Sequence, residues 1–350
     1  MRIIVNDIAA SYGGALSILQ QFYNFIKEND HENEWIFLLS EKHFEETKNI
    51  KIILMPQIKQ SALAKLKFDL LTGRAFLDRL RPDVILSLQN IITFGASAAQ
   101  IAYIHQSLPY QSTKSFSFFK KNERVSAVYQ HLIGRIITLS AKKANAVAVQ
   151  TQWMKRALAK KASIPQDKII TVFPNAKNYK ADNSRHNCRC FFYPTNNETY
   201  KNIDTIISAC DILRGLGICD FEVRLTLEPD SYTHPNIKCI GYQNDEGMQK
   251  NYNECSLLFA SYIETVGLPL IEARSANSVI LASDTSFAAE ALEGYSNAYF
   301  FNPFDKMQLS ALMQDCIEGK ITPRPASIAQ LPQGWNCLYD LILELGNQKP

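Results

Sequence analysis

The chain has 350 residues, 46% of them hydrophobic and 20% charged, and a formal net charge of +3. That is the make-up of a soluble globular protein with room for two ordinary domains, each able to bury a core. The charge is unevenly spread: residues 114–161 hold eleven Lys/Arg against the single acid Glu123, a segment of +10, so the remainder carries −7. Such asymmetry points to an anionic surface partner.

Residues 2–6 are a short β-branched run and read as a first strand. Asn6 and Asp7 follow the apolar run at 3–5 at once, which leaves it too short for the core of an export signal. A helix is expected over 15–28, with apolar residues at 16, 19, 22, 23 and 26. Between strand and helix stand Gly13 and Gly14, a pair that permits close backbone approach to a ligand and serves equally as a tight turn. The loop lacks the Gly-x-Gly-x-x-Gly dinucleotide fingerprint.

Strands are expected at 35–39 and 50–55, then a basic helix over 62–80 and a further βα unit from Pro82. The uncharged run 84–104 is interrupted by Gln89, Asn90, Thr93, Gly95, Ser97 and Gln100, so it reads as strand, connection, strand and not as a membrane span. Its last strand ends on His105. A histidine there is either a hydrogen-bonded structural residue or a ligand contact, because open α/β sheets bind ligands at the carboxyl ends of their strands. Residues 116–143 read as one long helix or two broken ones, 146–150 as a strand, and Thr151 as the cap of a helix over 152–161.

After a strand at 169–173, residues 174–187 are polar and without periodicity, the best linker candidate in the chain. Strands and helices then alternate again: strands at 190–193, 221–227, 237–242, 257–260, 279–282 and 298–301, with a helix over 203–216 among those between them. This alternation means a mainly parallel sheet covered on both faces. An amphipathic helix is expected over 335–345. The eight cysteines all lie at or after Cys188 without a Cys-x-x-Cys, so neither a zinc site nor a thioredoxin-like pair is indicated, and reduced, mostly buried thiols are expected.

Most of the chemistry is concentrated at 256–273. A short apolar run reads as a buried strand, Gly267 allows a tight turn, and Pro269 suits a first helical turn. The amides of Val266, Gly267 and Leu268 would then point out of the helix start, where a phosphate is welcome. Glu264 and Glu272, with seven residues between them, could face a sugar and a ribose. On spacing alone, two solvated glutamates at the ends of a βα unit read the same way.

The wider pattern, Glu264-x7-Glu272 around Gly267-Leu268-Pro269-Leu270-Ile271 and followed by the apolar run 278–283, resembles the donor-site signature of retaining glycosyltransferases of family 4. The resemblance implies an α/β GT-B fold, two Rossmann-like domains with a donor cleft between them. Residues 1–175 with 334–350 would form the acceptor domain, 188–333 the nucleotide-sugar domain, and 176–187 the linker. It implies transfer of a hexose from a nucleotide diphosphate sugar to a glycan or polyprenyl-linked acceptor, with retention and without metal or cofactor, in surface polysaccharide biosynthesis.

In that reading Glu272 holds the ribose, Glu264 the sugar hydroxyls, Lys201 the diphosphate and His105 the sugar near the reacting centre. Gly13 and Gly14 lie beside the donor phosphates and the acceptor, and Asn196, Val266, Gly267 and Leu268 complete the donor site. The chain departs from the family pattern at Thr265, where a glycine is usual, and at Thr195 and Asn196, where an Arg commonly stands. Either Lys201 with backbone amides neutralises the diphosphate, or another cation does. No Asp-x-Asp occurs, so the metal-bridged diphosphate site of the other large transferase fold is not suggested.

The basic segment 114–161 suits the anionic cytoplasmic leaflet of a membrane, and the expected location is peripheral on its inner face. A solvated helix face is the competing reading, and no recognition module supports nucleic acid. Two other functions fit the same framework: a sugar-nucleotide epimerase or hydrolase, and a non-catalytic partner protein.

Overall fold

The computed structural model describes residues 1–11, 13–326 and 334–348. They fall into two compact units, Met1–Asn175 with Leu331–Pro350, and Ala176–Gln330. The first unit contains β1 (Arg2–Asn6), α1 (Gly13–Asn29), β2 (Glu34–Leu39), β3 (Ile50–Leu54), α2 (Pro56–Lys59), α3 (Ala62–Lys67) and α4 (Gly73–Leu80). It continues with β4 (Val84–Ser87), β5 (Ala99–Ile104), α5 (Arg124–Ala127), α6 (Gly134–Lys143), β6 (Ala146–Val149), α7 (Gln152–Ala162) and β7 (Ile169–Thr171).

The second unit runs through β8 (Cys190–Tyr193), α8 (Ile203–Gly215), β9 (Glu222–Leu225), β10 (Ile237–Cys239), α9 (Asp245–Glu254) and β11 (Ser256–Phe259). It ends with α10 (Leu268–Ser275), β12 (Ile280–Ser283), α11 (Ser286–Ala291), β13 (Ala298–Phe301) and α12 (Lys306–Ile317). The last helix, α13 (Trp335–Asn347), belongs again to the first unit.

The sheets have the orders β3-β2-β1-β4-β5-β6-β7 and β10-β9-β8-β11-β12-β13, and their ladders are parallel. Each is a doubly wound order whose direction of winding reverses once, between β1 and β4 and between β8 and β11. That reversal opens a crevice at the strands' carboxyl ends, where ligands bind in such sheets.

Period-two burial assigns the faces of the first sheet. Ile3, Val5, Trp35 and Phe37 pack against Leu19, Phe22 and Ile26 of α1 and against Trp335, Leu338 and Ile342 of α13. Ile4, Ile36, Leu38 and Ile85 pack on the other side with Phe68 and Leu77. Each such side chain contributes about 1.5–3 kcal/mol on burial.

Several expectations meet differences. The helix expected over 62–80 is interrupted by a π turn at Phe68–Thr72, and that expected over 116–143 begins only at Arg124, with a second π turn at Val128–Ile133. Residues 116–123 are instead held by side chains: Gln130 accepts from the Phe116 amide at 2.8 Å and Glu123 from the Ser117 amide at 3.0 Å. Thr151 takes the cap position of α7 without a capping bond from its side chain.

The expected linker 176–187 packs on the second unit, which begins at Ala176 and not at 188. Tyr179 is buried and donates its amide to Ser275 Oγ at 2.8 Å. The expected boundary at 333 lies outside the described residues. Not all thiols are free: the β8–β11 ladder sets Phe191 beside Ser256, and one residue earlier Cys190 and Cys255 are disulfide-bonded, their Cα atoms 4.7 Å apart. Of the six free cysteines only Cys210 and Cys316 are buried. Among the described residues no helix is long and apolar enough to cross a membrane.

Candidate donor site at the strand ends of the second unit

The winding reversal between β8 and β11 brings two of the expected residues into contact. Lys201 closes a 3-10 turn (Thr199–Lys201) after β8, and Glu264 lies on the loop leaving β11. Lys201 Nζ and Glu264 Oε1 are 2.5 Å apart, with 14% and 21% of the side chains exposed. The buried Ser261 donates its hydroxyl to the same Oε1 at 3.1 Å. The two loops are stitched through the backbone, the Tyr262 amide donating to the Tyr200 carbonyl at 3.1 Å. Tyr193, whose hydroxyl donates to the Lys201 carbonyl at 3.1 Å, has its phenol pKa pushed up, first by burial and then by the Glu264 charge.

Asn202 fixes the geometry and has no counterpart among the expected site residues. It is left-handed, φ 63°, between the 3-10 turn and α8, a conformation that Asn tolerates better than most residues. Its side-chain amide donates to Ala260 O at 3.3 Å and Pro303 O at 2.6 Å, tying together the loops after β8, β11 and β13. The visible signal was an Asn directly before a helical apolar period.

Gly267 holds φ +73°, the left-handed region the turn requires, and a Cβ there would stand 3.1 Å from Leu270 Cδ1. No side chain caps α10 and Pro269 supplies no N–H, so the amides of Val266, Gly267 and Leu268 are the backbone donors at its start. Val266 itself is buried.

Glu272 does not pair with Glu264. Its Oε2 accepts from Tyr252 OH at 2.9 Å, and the Lys177 amide also hydrogen-bonds the carboxylate. Burial raises its pKa above the ordinary carboxylate value, against the lowering effect of Tyr252 and Lys177. The Lys177 ammonium pairs with Asp245. Asn196 is exposed, and its Oδ1 accepts from the Glu198 amide at 3.2 Å. Thr195, where the resemblance led an Arg to be expected, exchanges hydrogen bonds with Thr226. Arg274 lies close in sequence but is turned inward, donating to Ala291 O over the Tyr295 ring.

In the first unit the corresponding strand ends carry Gly13, Gly14 and His105. Gly13 opens α1 at φ +64°, and both glycines are exposed with no atom within 4 Å of an added Cβ. The His105 amide donates to Asn90 Oδ1 at 2.7 Å. Burial pushes the imidazole down to about 4, against a hydrogen bond to the Leu88 carbonyl, so the ring is neutral near pH 7.

The sequence reading passed over Asp7, which directly follows β1 and is 2% exposed. Burial raises its carboxyl to about 7, although Lys65, the Ala10 amide and Lys59 pull it down. The folded value exceeds the unfolded one, 3.8, so its stabilising contribution is complete below about pH 4 and lost as pH rises through 7. Asp7→Asn should therefore gain on the parent by about 3 kcal/mol between about pH 5 and about pH 8, read from urea midpoints. Parallel stability curves would show that Asp7 titrates normally.

Residues 175–330 match the family model described as glycosyl transferases group 1. No curated protein matches the sequence. Among solved structures the chain is similar to Anabaena HepE in complex with UDP and glucose, at 15% identity and a TM-score of 0.63 over 99% of this chain and 98% of that one. It is similar to the sucrose-phosphate synthase of Thermosynechococcus elongatus at 13% identity, TM-score 0.64, over 99% and 96%. A third similar structure is WaaG, a glycosyltransferase involved in lipopolysaccharide biosynthesis, at 11% identity, TM-score 0.66, over 97% and 99%. The fold of this chain is GT-B, two Rossmann-like α/β domains, and its second unit matches the group 1 glycosyl transferase domain.

Proposed function

We propose that this protein transfers a hexose from a nucleotide diphosphate sugar to a hydroxyl on a glycan or lipid-linked acceptor, with retention of anomeric configuration and without a metal. The observation that carries the reading is the Lys201–Glu264 pair at the β8–β11 winding reversal, beside the uncapped start of α10 and one helical turn from Glu272. The UDP and glucose bound to HepE make UDP-hexoses the first donors to test, and the role of WaaG favours a surface glycan as the product.

In this reading Lys201 donates to the diphosphate while Glu264 orients the ammonium and accepts from sugar hydroxyls. The amides at 266–268 serve the phosphates, as does Asn196 at the rim, and Gly13 and Gly14 leave room for the phosphates and the acceptor. Neutral His105 donates or accepts at the sugar near C1. The bond from C1 to the phosphate oxygen breaks as the acceptor oxygen bonds C1 on the same face. The acceptor proton passes to the leaving phosphate, and the nucleoside diphosphate departs.

Lys and Arg at 114–161 would hold the enzyme on the anionic inner face of the cytoplasmic membrane, where each nearby cation contributes about 1 kcal/mol. Binding to anionic vesicles at low salt, lost at high salt, is the expected sedimentation result.

The deciding assay follows label from radiolabelled nucleotide sugars with and without lipid extract. Transfer requires the acceptor, whereas release of free sugar or nucleotide without one would favour an epimerase or hydrolase, and no turnover a non-catalytic partner. Product NMR reads the anomeric configuration, and activity in chelator tests metal independence.

Glu272→Ala should weaken UDP binding about 10- to 100-fold in calorimetry, since a hydrogen bond to a charged acceptor is worth about 1.5–3 kcal/mol. UDP affinity should also fall on acidification, beginning at a higher pH than for an ordinary carboxylate, because the raised pKa protonates Glu272 early. Unchanged affinity in the variant would remove Glu272 from the ribose.

A further inference from the structure

A cavity of about 450 Å³ in the first unit is lined by Gln130, His131, Arg135, Thr138, Leu139, Lys142 and Lys161. No acid lines it. The acid of the surrounding segment, Glu123, is engaged by Lys114 and Lys120. Arg135, Thr138, Leu139 and Lys142 follow the spacing i, i+3, i+4, i+7, so one face of α6 forms a wall with cations about 10 Å apart along the axis.

Lys161 closes the far side from the last turn of α7. Its ammonium donates to Pro109 O and lies 5.7 Å from the centre of the Tyr110 ring. Partial burial lowers its pKa. The seating of Pro109 against the start of α6 needs Gly134, where a Cβ would stand 2.7 Å from Pro109 Cβ. Compensation of helix dipoles explains basic residues in the last turns of α6 and α7, but not Arg135, more than two turns from the α6 terminus.

A second observation concerns the same helical stretch. Val125, Val128, Tyr129 and Leu132, at i, i+3, i+4 and i+7, are 36–72% exposed, and Leu139 at the cavity wall is 46% exposed. Phe119, just before them, is 92% exposed. An apolar stripe left in solvent thus leads along one helical stretch into a cationic pocket. The cations repel one another until an anion enters, and the Arg fork suits phosphate oxygens. Exposed large apolar side chains grouped along one helical face are what an interaction site presents, unlike the single scattered ones of an ordinary surface.

We infer that this pocket seats the diphosphate of a polyprenyl-linked acceptor, whose chain lies along the stripe at 125–132. The inference rests on the lipid-linked acceptor of the proposed function and assigns that acceptor a place distinct from the Lys201 donor site.

The test uses full-length chain in a Lys201→Ala background, shown folded by thermal melt, so that the donor lysine contributes nothing. Inorganic pyrophosphate and phosphate are titrated by calorimetry. Flotation then compares phosphatidylcholine vesicles doped with undecaprenyl diphosphate against vesicles doped with phosphatidylglycerol to the same surface charge. Arg135→Gln/Lys142→Gln should lower pyrophosphate affinity at least about tenfold, the equivalent of one charge-assisted hydrogen bond. Lys27→Gln/Lys48→Gln, exposed on the same unit and outside 114–161, should leave it unchanged.

The parent should prefer the diphosphate vesicles, and only the pocket variant should lose that preference. Pyrophosphate binding indifferent to the pocket variant overturns the inference. So does pocket-dependent pyrophosphate binding without preference for the lipid diphosphate, which would mark a site for a soluble phosphate. Transfer of label to a water-soluble acceptor, measured on the unmodified chain, reports on the proposed function separately.

Discussion

Lys201→Ala is expected to lower turnover of a nucleotide sugar about 100- to 1,000-fold, the usual cost of removing one preorganised donor from a developing oxyanion. The chain offers Lys201 little support: Thr195 and Asn196 stand where the resemblance led an Arg to be expected, Arg274 is turned into the core, and Lys177 is paired with Asp245. Lys201 has three N–H donors; Glu264 engages one and fixes the direction of the others.

Glu264→Gln should therefore lower turnover nearly as much, because an unguided ammonium loses its aim. The double variant should be little worse than either single one, the signature of residues acting as a unit. Losses that multiply would mean that Glu264 and Lys201 serve separate steps. A parent-like rate in Lys201→Ala would falsify the donor-site assignment outright.

Gly334→Ala should be the most destabilising small substitution in the first unit. A Cβ there would stand 2.5 Å from Val172 Cα and closer still to Phe173 N, so the obstacle is backbone that cannot turn aside as a side chain can. Relief requires α13 to lift off the end of β7. That motion withdraws Trp335, Leu338 and Ile342 from the core, worth about 1.5–3 kcal/mol each. Overpacking alone costs about 1–3 kcal/mol. The expected denaturant result is an early transition of the first unit, while the second keeps its parental midpoint. Gly215→Ala is the matched control: it lies in α8 with nothing within 4 Å of the added Cβ, and should be neutral or stabilising by up to about 1 kcal/mol. Equal midpoints for parent and Gly334→Ala would show that α13 is not tightly seated.

Elements with a strong local period were legible in the sequence. The strands at 2–6, 190–193 and 298–301 and the helix from Trp335 stand within about two residues of where apolar spacing put them. Long-range side chains overrode that spacing at 116–123, where Gln130 and Glu123 bind backbone amides that a helix would have used. The π turn at Phe68–Thr72 was not legible either: Gly73 donates its amide to Phe68 O, and a Cβ on Gly73 would stand 2.8 Å from the Thr93 methyl.

For the site, Gly267 and Pro269 were readable as local backbone chemistry, but the contact between Lys201 and Glu264 was not. They are 63 residues apart, and only the resemblance placed them in one site before the strand order brought them together. Asp7 stayed hidden because nothing in its neighbourhood along the chain shows that the end of β1 is closed to water.

The return of α13 to the first unit sets an order of assembly. Domains made from the amino end usually fold in that sequence during synthesis. Here the second unit is contiguous from 176 to its last helix, whereas the first sheet receives one of its covering helices only after Trp335 has left the ribosome. A nascent chain stalled after α12 would hold a finished second unit and a first unit whose α13-facing surface, Tyr103 of β5 and Phe22 of α1 among it, is still open. A protease added at that point should digest the earlier-made half and spare the later one.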